Sequence, residues 1–400
     1  MDAELDALLR TRLAELDAAH RLRRLRPWHW GDGSLHDADG RALIDASSND
    51  YLGLSQHPLV KARAAEWAER HGAGAPASRL VTGTRDITLA LEQRLAEFKG
   101  CEAALLFSSG FQANATVIPA LAKVGAGDTA NAAAIFSDEL NHASIIHGAR
   151  FAKCNTEIFR HNDLDHLDEL LGRHSANPGR KLIITESVFS MDGDRADLAA
   201  LVQLAEHHGA ALYVDEAHAS GVLGPQGRGL AAECAQIGGG VDVVMGTLGK
   251  AFGAFGAYIA GSRALIDWLV NRCAGFIYTT ALPPAVLGAV DAALDLVPGM
   301  DEDRAQLARN SQRLREMLAQ RNYDTLGSST QIIPAVIGSD ADALAAARRL
   351  EEAGVLGVAI RPPTVPEGTS RLRFTLNSRL DEQGMQRLLD AVAASLPLRC

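Results

Sequence analysis

The 400-residue sequence lacks the features that mark secreted, membrane-spanning or nucleic-acid-binding proteins. Its first residues, MDAELDALLRTRL, have no basic stretch followed by an apolar core, so a signal peptide is not expected. No apolar run approaches the roughly 20 residues of a membrane span. There are 39 lysines and arginines against 49 aspartates and glutamates, and without a long basic run nothing favours nucleic acid as a partner.

Cysteine is scarce, and its five copies are scattered without a C-x-x-C pair. An odd number at such spacing favours neither a disulfide framework nor a zinc site. Because such cysteines are typical of a reducing compartment, we expect a cytoplasmic protein with no bound metal. The composition is otherwise that of a globular protein, and the length exceeds one small core, so two packed domains are expected.

We expect residues 1–48 to form an N-terminal segment of one helix and one hairpin. Leucines recur at helical spacing in residues 2–25, which predicts an amphipathic helix. This stretch ends in a basic cluster of Arg21, Arg23, Arg24 and Arg26. Taken alone, the cluster is explained by a solvated helix C-terminus, where cations complement the helix dipole. The next stretch, SLHDADGRALIDAS, predicts a short hairpin that turns at Asp39-Gly40.

Residues 49–286 are expected to form the large domain, because helical and β-rich stretches alternate there. The helical stretches are 60–70, 86–99, 112–123, 164–173 and 197–208. The β-rich runs are ALLF (104–107), AAIFS (133–137), KLIITES (181–187), ALYVDE (211–216) and VDVVMG (241–246). Continuous apolar runs are typical of strands covered on both faces, so we predict an α/β fold with a mostly parallel central sheet and helices on both faces.

A smaller α+β domain is expected over residues 287–400, after an exit helix at 283–297. Its predicted order is helix 302–320, strand QIIPAVIG, helix 341–353, strand VLGVAIRPP, strand RLRFTLN and helix 381–395.

Reactive side chains follow several predicted strands, at the sheet edge where doubly wound folds bind ligands. One strand ends in Asp215-Glu216-Ala217-His218. A buried carboxylate there needs a partner, and a protonated pyridine nitrogen is one such partner. D-E-A-H also resembles a helicase motif, but no G-x-x-x-x-G-K-[ST] accompanies it.

Lys250 lies in TLGKAFG, after a run of apolar residues. Two explanations fit: a lysine that reacts as a free amine with a carbonyl group, or a phosphate-binding or merely exposed lysine. A lone lysine favours the second explanation. The presence of Asp215 and His218 upstream favours the first.

Three other segments carry candidate ligands, although each alone has a structural explanation. SSGFQAN opens a helix, whose N-terminus favours a phosphate, and Gly110 permits close approach of the backbone. His142 in NHAS could stack on an aromatic ring. Glu186 and Ser190 lie in TESVFSMDGD, where a hydroxyl could donate to a phenolate oxygen. The DGD turn lacks the EF-hand pattern, so calcium is not expected.

Together these segments resemble the α-oxoamine synthases, a family of fold-type I enzymes that depend on pyridoxal 5′-phosphate (PLP). The matching segments are SNDYLGL (48–54), SSGFQAN (108–114), NHAS (141–144), TESVFSMDGD (185–194), VDEAHASG (214–221) and GTLGKAFG (246–253). The resemblance covers nearly the whole chain. It implies a fold-type I PLP-dependent transferase that forms a homodimer with shared active sites.

The resemblance also implies a role for each matching residue. Lys250 would hold PLP covalently, Asp215 would pair with its pyridine nitrogen, and His142 would stack on its ring. The other implied cofactor contacts are Gly110, Phe111, Glu186, Ser190, His218, Thr247 and Thr279. Of these, Thr279 would reach the phosphate of the neighbouring subunit, with Thr280 as the alternative.

The segment IRPPTVPEGTSRLRFTLN (360–377) narrows the expected reaction. It resembles the branch of the family that condenses L-alanine with a pimeloyl thioester in biotin biosynthesis, with loss of CO2 and release of the thiol carrier. Arg361 would bind the carboxylate of alanine, which suits its planar fork. The other implied substrate contacts are Arg23, Asn49, His142 and Thr364. Both acyl carrier protein and coenzyme A are compatible as the carrier.

Three alternatives stay open at this point. A sister synthase, such as glycine C-acetyltransferase, would differ in its substrates. A generic PLP aminotransferase would transaminate alanine instead of forming a ketone. A non-catalytic partner subunit would keep the fold, but such subunits usually lack the lysine, and Lys250, Asp215 and His218 are all present here.

Overall fold

The computed structural model describes residues 3–31, 34–124, 133–175, 179–236 and 240–399. The chain divides into two compact units. The large unit comprises Asn49–Ser190 and Arg195–Ala305. The small unit comprises Met1–Ser48, Met191–Asp194 and Gln306–Cys400. No helix among the described residues is long and apolar enough to cross a membrane.

The N-terminal part of the small unit contains one helix and the predicted hairpin. Its elements are α1 (Ala3–Ala18), β1 (His29–Gly31), β2 (Ser34–His36) and β3 (Ala42–Asp45). β2 and β3 pair antiparallel. At the turn, Asp37 Oδ1 accepts hydrogen bonds from the backbone N–H groups of Asp39 and Arg41 at 3.0 and 2.9 Å. Gly40 has φ +82°, the left-handed backbone that favours glycine.

The predicted helix over residues 2–25 is wrong at its C-terminal end, while residue 2 lies outside the described residues. α1 ends at Ala18, and His20 has a left-handed φ of 57° that stops the helix. The basic cluster is therefore not a solvated helix C-terminus. Arg21 instead forms ion pairs with Asp340 and Glu367 at 2.9 and 3.0 Å.

The large unit is built on one seven-stranded sheet. Its strands are β4 (Ala103–Phe107), β5 (Ala133–Asp138), β6 (Asn155–Phe159), β7 (Arg180–Glu186), β8 (Ala210–Asp215), β9 (Val243–Thr247) and β10 (Ala257–Gly261). Its helices are α2 (Pro58–His71), α3 (Asp86–Lys99), α4 (Gly110–Ala122), α5 (Ala143–Ala152), α6 (Leu164–Arg173), α7 (Leu198–His208), α8 (Ala231–Gln236), α9 (Arg263–Arg272), α10 (Ala274–Ile277) and α11 (Pro284–Leu296).

The strand order is β4-β10-β9-β8-β7-β5-β6. Only β10 runs antiparallel to its neighbours within the described sheet, so the predicted mostly parallel sheet is confirmed. β4 and β5 are buried along their whole length, which shows that both of their faces are covered. The carboxyl ends of β4, β5, β7, β8 and β9 therefore meet at one edge of the sheet.

The core of the large unit lies on the sheet and against α4, α5 and α9. Its buried side chains include Leu105, Val117, Ile118, Ile135, Ile145, Ile184, Tyr213, Met245, Ile259, Ile266 and Leu269. This packing holds the strand ends and the first turns of α4 and α5 in fixed positions.

The C-terminal part of the small unit is α+β, as predicted. Its elements are α12 (Asp301–Gln320, from Gln306 onward in this unit), β11 (Ile332–Gly338), α13 (Asp340–Glu352), β12 (Val355–Leu356), β13 (Val358–Ile360), β14 (Ser370–Thr375) and α14 (Glu382–Ser395). β11, β14 and β13 form an antiparallel sheet, whereas β12 pairs in parallel with β3. The single strand predicted for VLGVAIRPP is therefore two strands in two sheets, which separate at Gly357.

The two compact units differ from the predicted domains in the assignment of residues 1–48 and in the C-terminal boundary of the large unit. Residues 1–48 are not a segment of their own, because β3 pairs with β12. The large unit extends past residue 286 to Ala305, because α11 packs closely on α2. At Gly288, a Cβ atom would come within 2.6 Å of the backbone oxygen of Arg63 and 2.8 Å of the Trp67 ring.

A buried ion pair holds the turn that follows β8. Lys99, at the end of α3, and Glu216 lie 2.5 Å apart, with side chains 1% and 0% exposed. Burial lowers the pKa of Lys99, but the attraction and hydrogen bond of Glu216 together with the nearby Tyr258 outweigh it, so the pKa is raised overall. Glu216 Oε1 also accepts a hydrogen bond from the backbone N–H of Ala231 at 2.8 Å.

We expect Lys99→Met to lower the free energy of unfolding by about 3–5 kcal/mol, because it leaves the Glu216 carboxylate buried without its cation. Urea unfolding measures this change. The double variant Lys99→Met/Glu216→Leu should recover part of the loss, since a well-packed apolar pair replaces the ions. Arg70→Met breaks the exposed pair with Glu66 and serves as the control that changes little. Equal effects of Lys99→Met and Arg70→Met would contradict the assignment.

Candidate active site

A cavity of about 200 Å³ lies at the carboxyl edge of the large sheet. Eight of the ten predicted cofactor residues line it: Gly110, Phe111, His142, Glu186, Asp215, His218, Thr247 and Lys250. Asn114, Ser144, Ala217 and Met245 complete the lining. The strand-end positions thus bring most of the predicted site together within one unit.

Lys250 follows β9 and contacts His218, which in turn contacts Tyr51. Its Nζ lies 2.8 Å from His218 Nε2. The other ring nitrogen of His218, Nδ1, lies 2.6 Å from the hydroxyl of Tyr51. Tyr51 is fully buried and also donates to Asn49 Oδ1 at 3.1 Å. Asn49, predicted as a substrate contact, therefore connects to Lys250 through two side chains.

Asp215 lies at the end of β8, with both carboxylate oxygens held by donors. Oδ2 accepts a hydrogen bond from Asn114 Nδ2 at 2.8 Å. Oδ1 accepts one from the backbone N–H of Ala217 at 2.8 Å. The residue is only 4% exposed. Hydrogen bonds of this kind to a carboxylate favour its ionised form, so an anion is fixed at the wall of the cavity.

His142 and Glu186 form a second pair in the cavity. The backbone N–H of His142 donates to Glu186 Oε1 at 2.6 Å. Burial lowers the pKa of His142, and Lys250 lowers it further against the opposing effect of Asp215. Burial and the nearby Asp215 raise the pKa of Glu186 well above its ordinary value. Burial therefore favours the neutral forms of both His142 and Glu186.

The first turn of α4 forms the end of the cavity that suits an anion. Ser109 caps this helix, and its Oγ accepts from the backbone N–H of Gln112 at 3.1 Å. The first N–H groups of a helix have no partner within the helix, and the helix dipole is positive there. Gly110 and Phe111 lie at this turn, and Thr247 also lines the cavity.

Two predicted cofactor residues do not line the cavity. Ser190 is buried but lies outside the lining. Thr279 lies beside α4, where its Oγ1 accepts from Gln112 Nε2 at 2.6 Å. Thr280 forms a backbone bridge to Ser78 instead. Of the two threonines, Thr279 is the one whose hydroxyl is linked to the first turn of α4.

Three predicted substrate residues lie together in the small unit. Arg23 Nη2 donates to Thr364 Oγ1 at 3.4 Å, and Arg361 donates to the backbone oxygen of His20. Burial lowers the pKa of Arg361, and the nearby positive charge of Arg23 lowers it further. Two cations that approach each other in this way favour an anionic ligand.

No sequence motif assigned a role to Asn114, Ser144 or Tyr51, although each lies inside one of the segments SSGFQAN, NHAS and SNDYLGL. Asn114 is four residues after Gly110 and so lies on the same side of α4. It is also a fully buried polar residue in the apolar stretch NATVIPALA, which is the signal that could have identified it.

The comparisons with known proteins identify the family. Residues 41–392 match the model of the family described as aminotransferase class I and II. A relative from Gluconacetobacter diazotrophicus, named 8-amino-7-oxononanoate synthase, is 54% identical over 387 residues, which cover 97% of this chain and 96% of the relative. A relative of the same name from Geobacter sulfurreducens is 49% identical over 373 residues and covers 93% of each chain.

Solved structures show the same architecture. The chain is similar to Sphingomonas wittichii serine palmitoyltransferase with a TM-score of 0.88 and 30% identity, over 98% of this chain and 97% of that one. A structure described as SPT with PLP bound as an internal aldimine has a TM-score of 0.89 and 29% identity, over 98% and 97% of the two chains. An 8-amino-7-oxononanoate synthase from Francisella tularensis has a TM-score of 0.73 and 28% identity, over 88% and 96%.

The donor set of the cavity fits PLP. A lysine amine, an anion held by two donors, a neutral imidazole and a helix N-terminus lie around one space at the end of a parallel sheet. These groups match an aldehyde, a pyridine nitrogen, an aromatic ring and a phosphate. The chain therefore belongs to the class I and II aminotransferase family as a PLP-dependent acyltransferase, and within that family it groups with the 8-amino-7-oxononanoate synthases.

Proposed function

We propose that the chain condenses L-alanine with a pimeloyl thioester to give 8-amino-7-oxononanoate, CO2 and the free thiol carrier, in biotin biosynthesis. The observation that carries the proposal is the cavity in which Lys250, His218, Asp215 and His142 meet, in a chain 54% identical to a relative of that name. The carrier is acyl carrier protein or coenzyme A.

When bound, PLP supplies an electron sink that stabilises negative charge at the Cα atom of an attached amino acid. Asp215 would support this sink, because its carboxylate, held by two hydrogen bonds, would pair with a protonated pyridine nitrogen. His142 presents a neutral imidazole that can lie on a ring without adding charge. The N–H groups at the first turn of α4 and the hydroxyl of Thr247 would hold the phosphate.

Lys250 has two roles in this proposal. Its Nζ would be the covalent attachment point for the cofactor, and as a free amine it would take the proton from Cα of alanine as a general base. His218 Nε2, 2.8 Å away, orients the amine through a hydrogen bond. Tyr51 fixes the ring of His218 through its other nitrogen, Nδ1, so the position of the base is set by buried groups.

The substrate anions are assigned to the arginines of the small unit. Arg361 binds the carboxylate of alanine, and Arg23 contacts the acyl substrate together with Thr364. The mutual proximity of Arg23 and Arg361 supports an anionic ligand at each. Asn49 is a further substrate contact, and its link to Tyr51 supports that assignment.

We further propose a homodimer in which Thr279 reaches the phosphate in the partner's site. Several large apolar side chains of the large unit are exposed, including Tyr278 at 84%, Val81 at 73% and Leu80 at 53%. Clusters of exposed apolar residues mark association surfaces, and Tyr278 directly precedes Thr279. Scattered cysteines support a cytoplasmic location for the dimer.

Spectroscopy and product analysis test the function. The holoenzyme should show a visible absorbance band that L-alanine shifts and that Lys250→Ala abolishes. Addition of pimeloyl-CoA or pimeloyl acyl carrier protein should release one CO2 for each 8-amino-7-oxononanoate formed. A band that responds to glycine but not to alanine would favour a sister synthase. Transamination of alanine without ketone formation would favour an aminotransferase.

The role of Arg361 predicts a selective loss of alanine binding. Arg361→Lys keeps the charge but loses the planar fork, so the KM for alanine should rise roughly tenfold to a hundredfold, as for a lost charge-assisted hydrogen bond. Steady-state kinetics measures this rise, with the exposed Arg387→Lys as the control that leaves KM unchanged. An unchanged KM for alanine in Arg361→Lys would remove the residue from the binding site.

A further inference from the structure

Asn114 uses all of its side-chain hydrogen-bonding groups inside the core of the large unit. It is fully buried on α4. Its Nδ2 donates to Asp215 Oδ2 at 2.8 Å and to Ser144 Oγ at 2.9 Å. Its Oδ1 accepts from the hydroxyl of Tyr213 at 2.6 Å. One amide therefore connects β8, α4 and the start of α5.

The direction of each hydrogen bond in this network follows from Asp215. If the amide of Asn114 were flipped, its oxygen would face an ionised carboxylate oxygen at contact distance, with two acceptors opposed and no hydrogen between them. The amide nitrogen must therefore face Asp215, and the Tyr213 hydroxyl must donate to the amide oxygen. The burial of Tyr213, and then the nearby Asp215, raises the pKa of the phenol well above its ordinary value, which keeps its proton available.

The same direction continues to His142. Ser144 Oγ accepts from Asn114, so its own hydrogen can be donated to His142 Nδ1, 2.7 Å away. The backbone N–H of Ser144 also donates to this nitrogen at 3.2 Å. His142 Nδ1 is thus an acceptor, and the hydrogen of the neutral ring lies on Nε2.

We propose that Asn114 is a positioning residue for the cofactor: it keeps Asp215 ionised and aimed, and through Ser144 it fixes the tautomer of His142. The inference rests on the proposed role of Asp215 as partner of the pyridine nitrogen. It assigns one uncharged side chain to the control of both groups that are expected to contact the cofactor ring.

The surroundings of Asp215 explain why residue 114 is an amide. Its titratable neighbours are Glu186 on β7, His142 before α5, Tyr213 on β8 and Lys250 after β9. Burial favours the neutral forms of the first three of these neighbours. A second carboxylate in place of Asn114 would share a proton with Asp215, and an apolar residue would remove a donor from a buried anion.

Two variants of nearly equal size test the proposal through the pH dependence of PLP binding. Asn114→Leu removes the donor and favours the neutral acid of Asp215. Its PLP affinity should be roughly tenfold to a hundredfold below wild type, and the deficit should grow as the pH falls. In Asn114→Asp, the introduced acid can donate the same hydrogen bond while protonated, so its deficit should grow as the pH rises.

The measurement is the apparent dissociation constant of PLP from the visible absorbance, expressed as a ratio to wild type at each pH. Because PLP and Lys250 ionise in the wild type and in the variants alike, the effect of their ionisation cancels in this ratio. No substrate is present, so a failure to condense alanine with a pimeloyl thioester would overturn the proposed function and leave this result unaffected. Equal, pH-independent deficits in the two variants would show a merely structural role and overturn the inference.

A matched pair of tyrosine variants covers the case in which the Asn114 variants do not fold. Tyr213 and Tyr258 are both fully buried in the same sheet, but the hydroxyl of Tyr258 bonds to Ser220 instead of Asn114. Tyr213→Phe should weaken PLP binding several-fold, and this loss of affinity should grow as the pH falls, as in Asn114→Leu. Tyr258→Phe should leave PLP binding unchanged. Identical behaviour of the two would contradict the inference.

Nitrogen-15 spectra of histidine-labelled holoenzyme test the tautomer directly, with His142→Gln to assign the signals. The expected result for His142 is an unprotonated Nδ1 and a protonated Nε2 at neutral pH. A protonated Nδ1 would overturn the proposed direction of the network.

Discussion

The active site depends on one buried negative charge, the carboxylate of Asp215 at the end of β8. A buried carboxylate is costly without donors, and here Asn114 and the backbone of Ala217 supply one to each oxygen. The turn that provides the backbone donor is itself held by the Lys99–Glu216 ion pair. The sheet edge, the first turns of two helices and the ion pair beneath them all serve to keep this charge in place.

The other titratable groups around the cavity are adjusted to that charge. Burial raises the pKa of Glu186 and lowers the pKa of His142, so the neutral forms of both are favoured beside the Asp215 carboxylate. Lys250, which lines the same cavity, is linked to His218 and through it to Tyr51. One anion held by hydrogen bonds and one lysine amine around a small space is an arrangement that suits PLP.

The sequence predicts β4, β5, β7, β8 and β9, because these strands are continuous apolar runs. It misses β6, which is a partly exposed edge strand with the polar residues Asn155 and Glu157. It also misses β10, which is buried but short, and three of its five residues, AYIAG, are alanine or glycine. The same limit applies to the site. Lys250 and Asp215 are visible from their strand-end motifs, whereas the hydrogen bond from Asn114 to Asp215 joins positions far apart in the chain and leaves no local pattern. The partners of Arg21 lie in the C-terminal part of the small unit, so from the sequence alone the basic cluster resembles a helix terminus.

The pairing of β3 with β12 has a consequence for synthesis on the ribosome. Ile44 emerges early, but its partner Val355 emerges only after the whole of the large unit. The chain from Asn49 to Ala305 supplies nearly all of the large unit in the interval, and domains generally fold as units during translation. The N-terminal hairpin must therefore wait, with one edge of β3 unpaired, until β12 has been made. Translation order thus makes completion of the small unit, with Arg23 and Arg361 together, a late event that follows the assembly of the cofactor cavity.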